Sequence, residues 1–216
     1  MPYFSKTYGR IGATSTSALV SANGGVFGPD QVRWDKQQLP TSITPVPATT
    51  SANTYGNAAY SYYARSVLHF VYTQAELAAA GWTVGCTISS FTYNIPILTA
   101  YPTVPSYAVG MCHTALTSGN LAAQGLTTVR VPTTQNHVLG TNTITLTAPF
   151  AWNGTSNLGI SLAWGYPGGY NLSAYATSGA GTTFRSGLDT AGTYAITDAA
   201  TTSITGRPAL TLFRST

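Results

Sequence analysis

The 216-residue chain is long enough to bury one full core, and only 6% of it is charged, against about 25% in an average soluble domain. Nine Lys and Arg against five Asp and Glu give a net charge of +4, scattered without a basic cluster, which argues against nucleic-acid recognition. No apolar run approaches the ~18 residues of a membrane-spanning helix, and MPYFSKTYGRIGATS has no apolar core, so neither a membrane partner nor a signal peptide is expected.

Residues 1–62 lack sustained periodicity and are rich in Ser, Thr, Gly, Asn, Ala and Pro, with Pro45 and Pro47 interrupting any ladder or helix. Tyr3, Phe4, Val26, Phe27, Trp34 and Leu39 are too many large apolar side chains for a purely disordered tail. This part reads as an extended arm that packs on its own domain or on a neighbouring subunit. Lys6, Arg10, Arg33 and Lys36 give it a positive balance that suits an acidic partner surface.

From residue 63 onward the pattern is that of a β-sandwich. SVLHFVYT (66–73) is a β-branched and aromatic run, and QAELAAAGW (74–82) predicts one short helix over 74–81, stopped by Gly81. TISSFTYNI (87–95) alternates after one slip. YAVGMCHTAL (107–116), TTVRVP (127–132), NTITLTAPF (142–150), NLGISLAWG (157–165), NLSAYATS (171–178), TTFRSGL (182–188) and PALTLF (208–213) follow between turn residues. Short strands at this spacing predict an all-β sandwich or barrel of jelly-roll size.

The residues that could carry chemistry are few. Glu76, the only glutamate, sits in the short helical stretch, where a helix-cap or a surface role is expected. Asp30, Asp35, Asp189 and Asp198 lie far apart, and a glycosidase needs two carboxyls flanking one bond. His69, His113 and His137 have no metal-ligand spacing; His69 and His113 could meet across a sheet, while Cys112 must face away from its neighbour His113. No nucleophile elbow and no phosphate-binding glycine loop occurs, so no catalytic residue, metal or cofactor is expected. Cys86 and Cys112 read as buried thiols. Asn153-Gly154 after Trp152 is a strong reversal signal. The aromatics Trp152, Trp164, Tyr166 and Tyr170 around GYPGGY suit either stacking on sugar rings, with Tyr166 and Tyr170 as glycan contacts, or filling and edging the sandwich core.

Three segments in order, YTQAELAAAGWTVGCTISSFTYNI (72–95), APFAWNGTSNLGISLAW (148–164) and RPALTLF (207–213), resemble jelly-roll-like modules. Such modules occur in bacterial surface proteins and in structural proteins of tailed-phage particles. The resemblance covers roughly residues 66 to 213, with Asn153 where the family pattern has Asp. It implies a jelly-roll-like sandwich (63–216) behind an extended arm (1–62), with Trp152, Asn153 and Gly154 forming a structural turn. It further implies a capsid decoration (cement) protein of the virion, a trimer bound to the major capsid protein or other virion subunits. A tail-fibre or baseplate component and a carbohydrate-binding module are the alternatives.

Overall fold

The computed structural model describes residues 40–48, 65–98, 103–165, 174–175, 178–188 and 192–215. These belong to one compact unit, Pro40–Thr216. The arm residues Tyr3, Phe4, Lys6, Arg10, Phe27, Arg33, Trp34 and Lys36 lie outside the described residues, as do Tyr166 and Tyr170.

In chain order the strands are β1 (Ser42–Ile43), β2 (Arg65–Tyr72), β3 (Cys86–Ile95), β4 (Ile97–Leu98), β5 (Thr103–Thr114), β6 (Thr127–Asn136), β7 (Gly140–Trp152), β8 (Asn157–Gly165), β9 (Ala174–Tyr175), β10 (Ser178–Leu188), β11 (Thr202–Pro208) and β12 (Thr211–Arg214). One helix, α1 (Gln74–Ala79), follows β2. A four-stranded sheet in the order β1-β12-β3-β7 packs on a six-stranded sheet in the order β11-β10-β2-β8-β5-β6. The pairs are nested, since β1 pairs with β12, β2 with β8, β3 with β7 and β5 with β6, all antiparallel. That is a long antiparallel ribbon rolled into two sheets, the jelly roll. The β10–β11 hairpin is added beside β2.

Burial explains the two kinds of strand pattern. β7 has one wet face, and its burial alternates through Asn142, Ile144 and Leu146. β2 is buried from Ser66 to Tyr72 because both faces are covered, so it reads as a continuous apolar run. Its inner face, with Leu68, Phe70 and Tyr72, joins the main core with Trp164, Tyr107, Phe91 and Ile160. Trp164 stacks on Tyr107 at 6.0 Å with an 11° interplanar angle.

The outer face of β2, β8 and β5 is covered by the chain's own loops. Val67, Ala108 and Ala163 pack under Ile196 and Ala200, while Val71 and Cys112 pack under Leu121. Glycine permits the close approach: a Cβ on Gly110 would lie 2.6 Å from Ile196 Cδ1, and one on Gly165 would lie 2.1 Å from the Gly192 carbonyl oxygen. At the far edge, Thr147 of β7 closes the gap to β6. Its hydroxyl donates to the Val129 carbonyl at 3.1 Å and accepts from Val131 N–H at 3.3 Å. Two backbone groups of an otherwise open edge are thereby bonded within the chain.

Several sequence expectations are modified. Residues 40–48, read as part of the 1–62 arm for want of periodicity, belong to the sandwich: Ile43 and Val46 are buried in the main core. Both prolines follow the two-residue β1, where the chain has left the ladder. TSITGRP forms β11, and the terminal run is divided, with β11 ending at Pro208 and β12 starting at Thr211. The slip in 87–95 is a register shift between Ile88 and Ser90, opposite the part of β7 that carries Pro149, which has no N–H for the ladder.

α1 is six residues long and is capped by a reciprocal Thr73–Glu76 box. Thr73 N–H donates to Glu76 Oε2 at 2.8 Å, and Glu76 N–H donates to Thr73 Oγ1 at 3.2 Å. The other carboxylate oxygen of Glu76 accepts from Arg207, the one ion pair among the described residues. Arg207 is buried; it also donates through Nε to the Ala180 carbonyl at 2.8 Å and through Nη1 to the Val71 carbonyl. Its guanidinium lies 5.0 Å from the centre of the Tyr72 ring. Tyr72 in turn donates to the Pro208 carbonyl and accepts from Leu210 N–H at 3.3 Å.

Partial burial disfavours the charged Glu76 carboxyl, but bonds from Arg207 and Thr73 outweigh it and hold the group below its ordinary value of 4.5. A depressed carboxyl contributes stability above the unfolded value and loses it as pH falls through the lower folded value. Glu76→Gln leaves Arg207 without its counter-charge. Because the glutamate side chain is 32% exposed, water relieves part of the cost, and we expect a loss of about 1–3 kcal/mol at neutral pH. Urea unfolding at pH 7 and pH 3 checks this, since the variant's deficit should shrink at the lower pH.

Candidate functional site

The turn after Trp152 is held from within. Asn153 Oδ1 accepts from Thr155 N–H at 3.0 Å and Ser156 N–H at 2.9 Å, and its Nδ2 donates to Ser156 Oγ at 2.9 Å. Trp152 Nε1 donates to the Ser156 carbonyl at 2.9 Å. The Trp152 ring is buried beside Trp82 at 6.5 Å, and Trp82 Nε1 donates to the Pro40 carbonyl at 3.1 Å. Gly154 has φ +79°, and a Cβ there would lie 2.5 Å from Gly85 N. The corner is therefore a packed joint between two loops. Trp152 and Trp164 are both core residues, 2% and 1% exposed, and neither offers a face for a sugar ring.

The histidines are separated. His69 lies on the covered outer face of β2, where its Nδ1 accepts from Leu121 N–H at 2.9 Å and its Nε2 donates to the Ile196 carbonyl at 3.1 Å. Ser161 donates to the same carbonyl at 2.7 Å, so two buried polar side chains pin both covering loops. His113 is opposite Leu158 in the ladder and accepts from Asn153 N–H at 3.1 Å. It does not meet His69. Cys112, on the other face as alternation requires, is buried and free; Cys86 is also a free thiol and is partly buried. His137 is buried between Tyr93 and Tyr107, with its Nε2 2.8 Å from the Tyr93 hydroxyl.

Asp198 accepts from Ala195 N–H at 2.8 Å, closing a turn of the covering loop; Asp30, Asp35 and Asp189 are outside the described residues. Among the described residues no three His, Cys, Asp or Glu side chains are grouped to hold a metal ion. None of the sequence-selected side chains that are described converge on a common point. The described histidines, acids and tryptophans each perform a structural task. No family model and no curated protein matches the chain.

What sequence reasoning missed is the difference between the two outer faces. One is buried under residues 115–126 and 192–200. The other, on the four-stranded sheet, is open and uncharged along β3 and β7: Thr141 stands opposite Asn94, Thr143 opposite Thr92 and Thr145 opposite Ser90. The signal was present as the alternation TNTITLT, whose threonines mark the wet face once the strand is placed at a sheet surface.

Two expected outcomes follow from these contacts. Gly154→Ala adds a Cβ against backbone at positive φ, and we expect a loss of more than about 1 kcal/mol, read as a lowered thermal midpoint. Burial moves His137 down from 6.5 to about 4 and also lowers His69 despite its bond to the Ile196 carbonyl. Neutral histidines in the fold contribute stability above pH 6.5 that is lost as pH falls toward about 4. An NMR titration of the ring protons should place His137 near pH 4; a midpoint near 6.5 would contradict its burial.

Proposed function

We propose that the protein is a structural component of a tailed-phage particle, a capsid decoration protein that binds the shell and stabilises it. The observation that carries this reading is the nested jelly roll, an architecture shared with viral coat domains. Charge scarcity adds support. A surface of Thr, Ser, Asn and Tyr suits permanent contact with neighbouring subunits better than free life in solution.

In this reading the partner is the major capsid protein or another virion subunit, the location is the virion, and the working assembly is a trimer. The N-terminal unit supplies attachment: Tyr3, Phe4, Phe27 and Trp34 as anchors and Lys6, Arg10, Arg33 and Lys36 as charge partners of the shell. An extended segment buries a long surface for few residues and becomes ordered as it binds.

The test is removal of residues 1–39. The cut stops before Pro40 because the Pro40 carbonyl holds Trp82, and the Thr41 carbonyl accepts from Arg214 N–H at 3.0 Å. The shortened chain should keep a cooperative thermal transition and lose co-sedimentation with undecorated capsids. Undiminished co-sedimentation would overturn the attachment role.

A further inference from the structure

On the four-stranded sheet, the segment after β1 lines a cleft of about 200 Å³ together with β3, β7 and the start of β12. It is lined by Thr44, Thr92, Asn94, Thr141 and Thr211, with Ala48, Ala209 and Tyr93, whose ring is buried in the core, beside them. Thr44 and Thr211 hydroxyls are 2.8 Å apart and order one wall. The side chains of Thr92, Asn94 and Thr141 make no hydrogen bond to protein among the described residues, so they remain available to a ligand.

We propose that this cleft binds an uncharged sugar ring. No Lys, Arg, His, Asp or Glu lines it, which leaves an ionic ligand without a counter-charge. The lining instead offers hydroxyls, which both donate and accept, and one carboxamide, which does both through separate atoms. That set matches the neighbouring hydroxyls of a neutral saccharide, each of which needs a donor and an acceptor at once. Threonine and alanine methyl groups supply the apolar surface that the C–H face of a sugar requires. The volume is below the roughly 300–1,000 Å³ of drug-sized sites and suits a single ring. With few contacts and an open mouth, the affinity belongs near about 1 mM. The site lies on the sandwich and does not depend on how the protein is mounted.

The test uses the full ¹⁵N-labelled chain, titrated with the methyl glycosides of glucose, galactose, mannose and N-acetylglucosamine to tens of millimolar, with sialic acid as the charged comparison. At least one neutral glycoside should shift the amide signals of Thr44, Thr92, Asn94 and Thr141. Asn94→Ala and Thr141→Val should each weaken that binding about tenfold, as loss of a hydrogen bond does. Both positions are exposed, so the thermal midpoint should stay that of the parent chain and separate lost binding from lost folding. The proposal is overturned if none of the four glycosides shifts these signals. It is equally overturned if shifts fall only outside the cleft, if only sialic acid binds, or if both variants bind like the parent.

Discussion

Arg207 joins parts of this fold that lie far apart in sequence. One buried guanidinium bonds to the end of β2 through Val71, to β10 through Ala180 and to the helix cap through Glu76. It also lies over Tyr72, whose hydroxyl holds the link between β11 and β12. A buried charge is tolerable only when its donors are met, and here they are met by backbone carbonyls and by the chain's single glutamate. Each of these elements is thereby placed relative to the others at the point where the added hairpin meets the jelly roll.

The two outer faces follow from where the spare chain goes. The β10–β11 hairpin carries residues 192–200 back across the six-stranded sheet, and small residues on β5 and β8 let them sit close. His69 and Ser161 lie beneath, where a polar group must be bonded, and both use the Ile196 carbonyl. No comparable segment crosses the four-stranded sheet among the described residues. Its threonines along β7 remain exposed.

Much of the architecture was legible in the residues. The helix start was written locally, because Thr73 and Glu76 are three apart and can bond each other's backbone without help from elsewhere. The turn at Asn153-Gly154 was equally local, since its bonds close within four residues. β1 was hidden by the prolines that follow it, and β11 by Gly206, which reads as a turn but sits inside a strand at φ +96°. The partner of Glu76 was also hidden: spacing cannot reveal an arginine 131 positions away.

By itself the sequence determined the class of fold, the reversals and the helix cap, because hydrophobic alternation, turn chemistry and capping act over a few neighbouring residues. Only the tertiary structure decided the rest. It buried Trp152 and Trp164 in the core, drew Ile43 and Val46 into the sandwich, kept His69 apart from His113 and gathered Thr44, Asn94, Thr141 and Thr211 around one cleft. Those outcomes depend on which strands become neighbours. Strand pairing is settled by global burial of apolar surface, which no local stretch of the chain encodes.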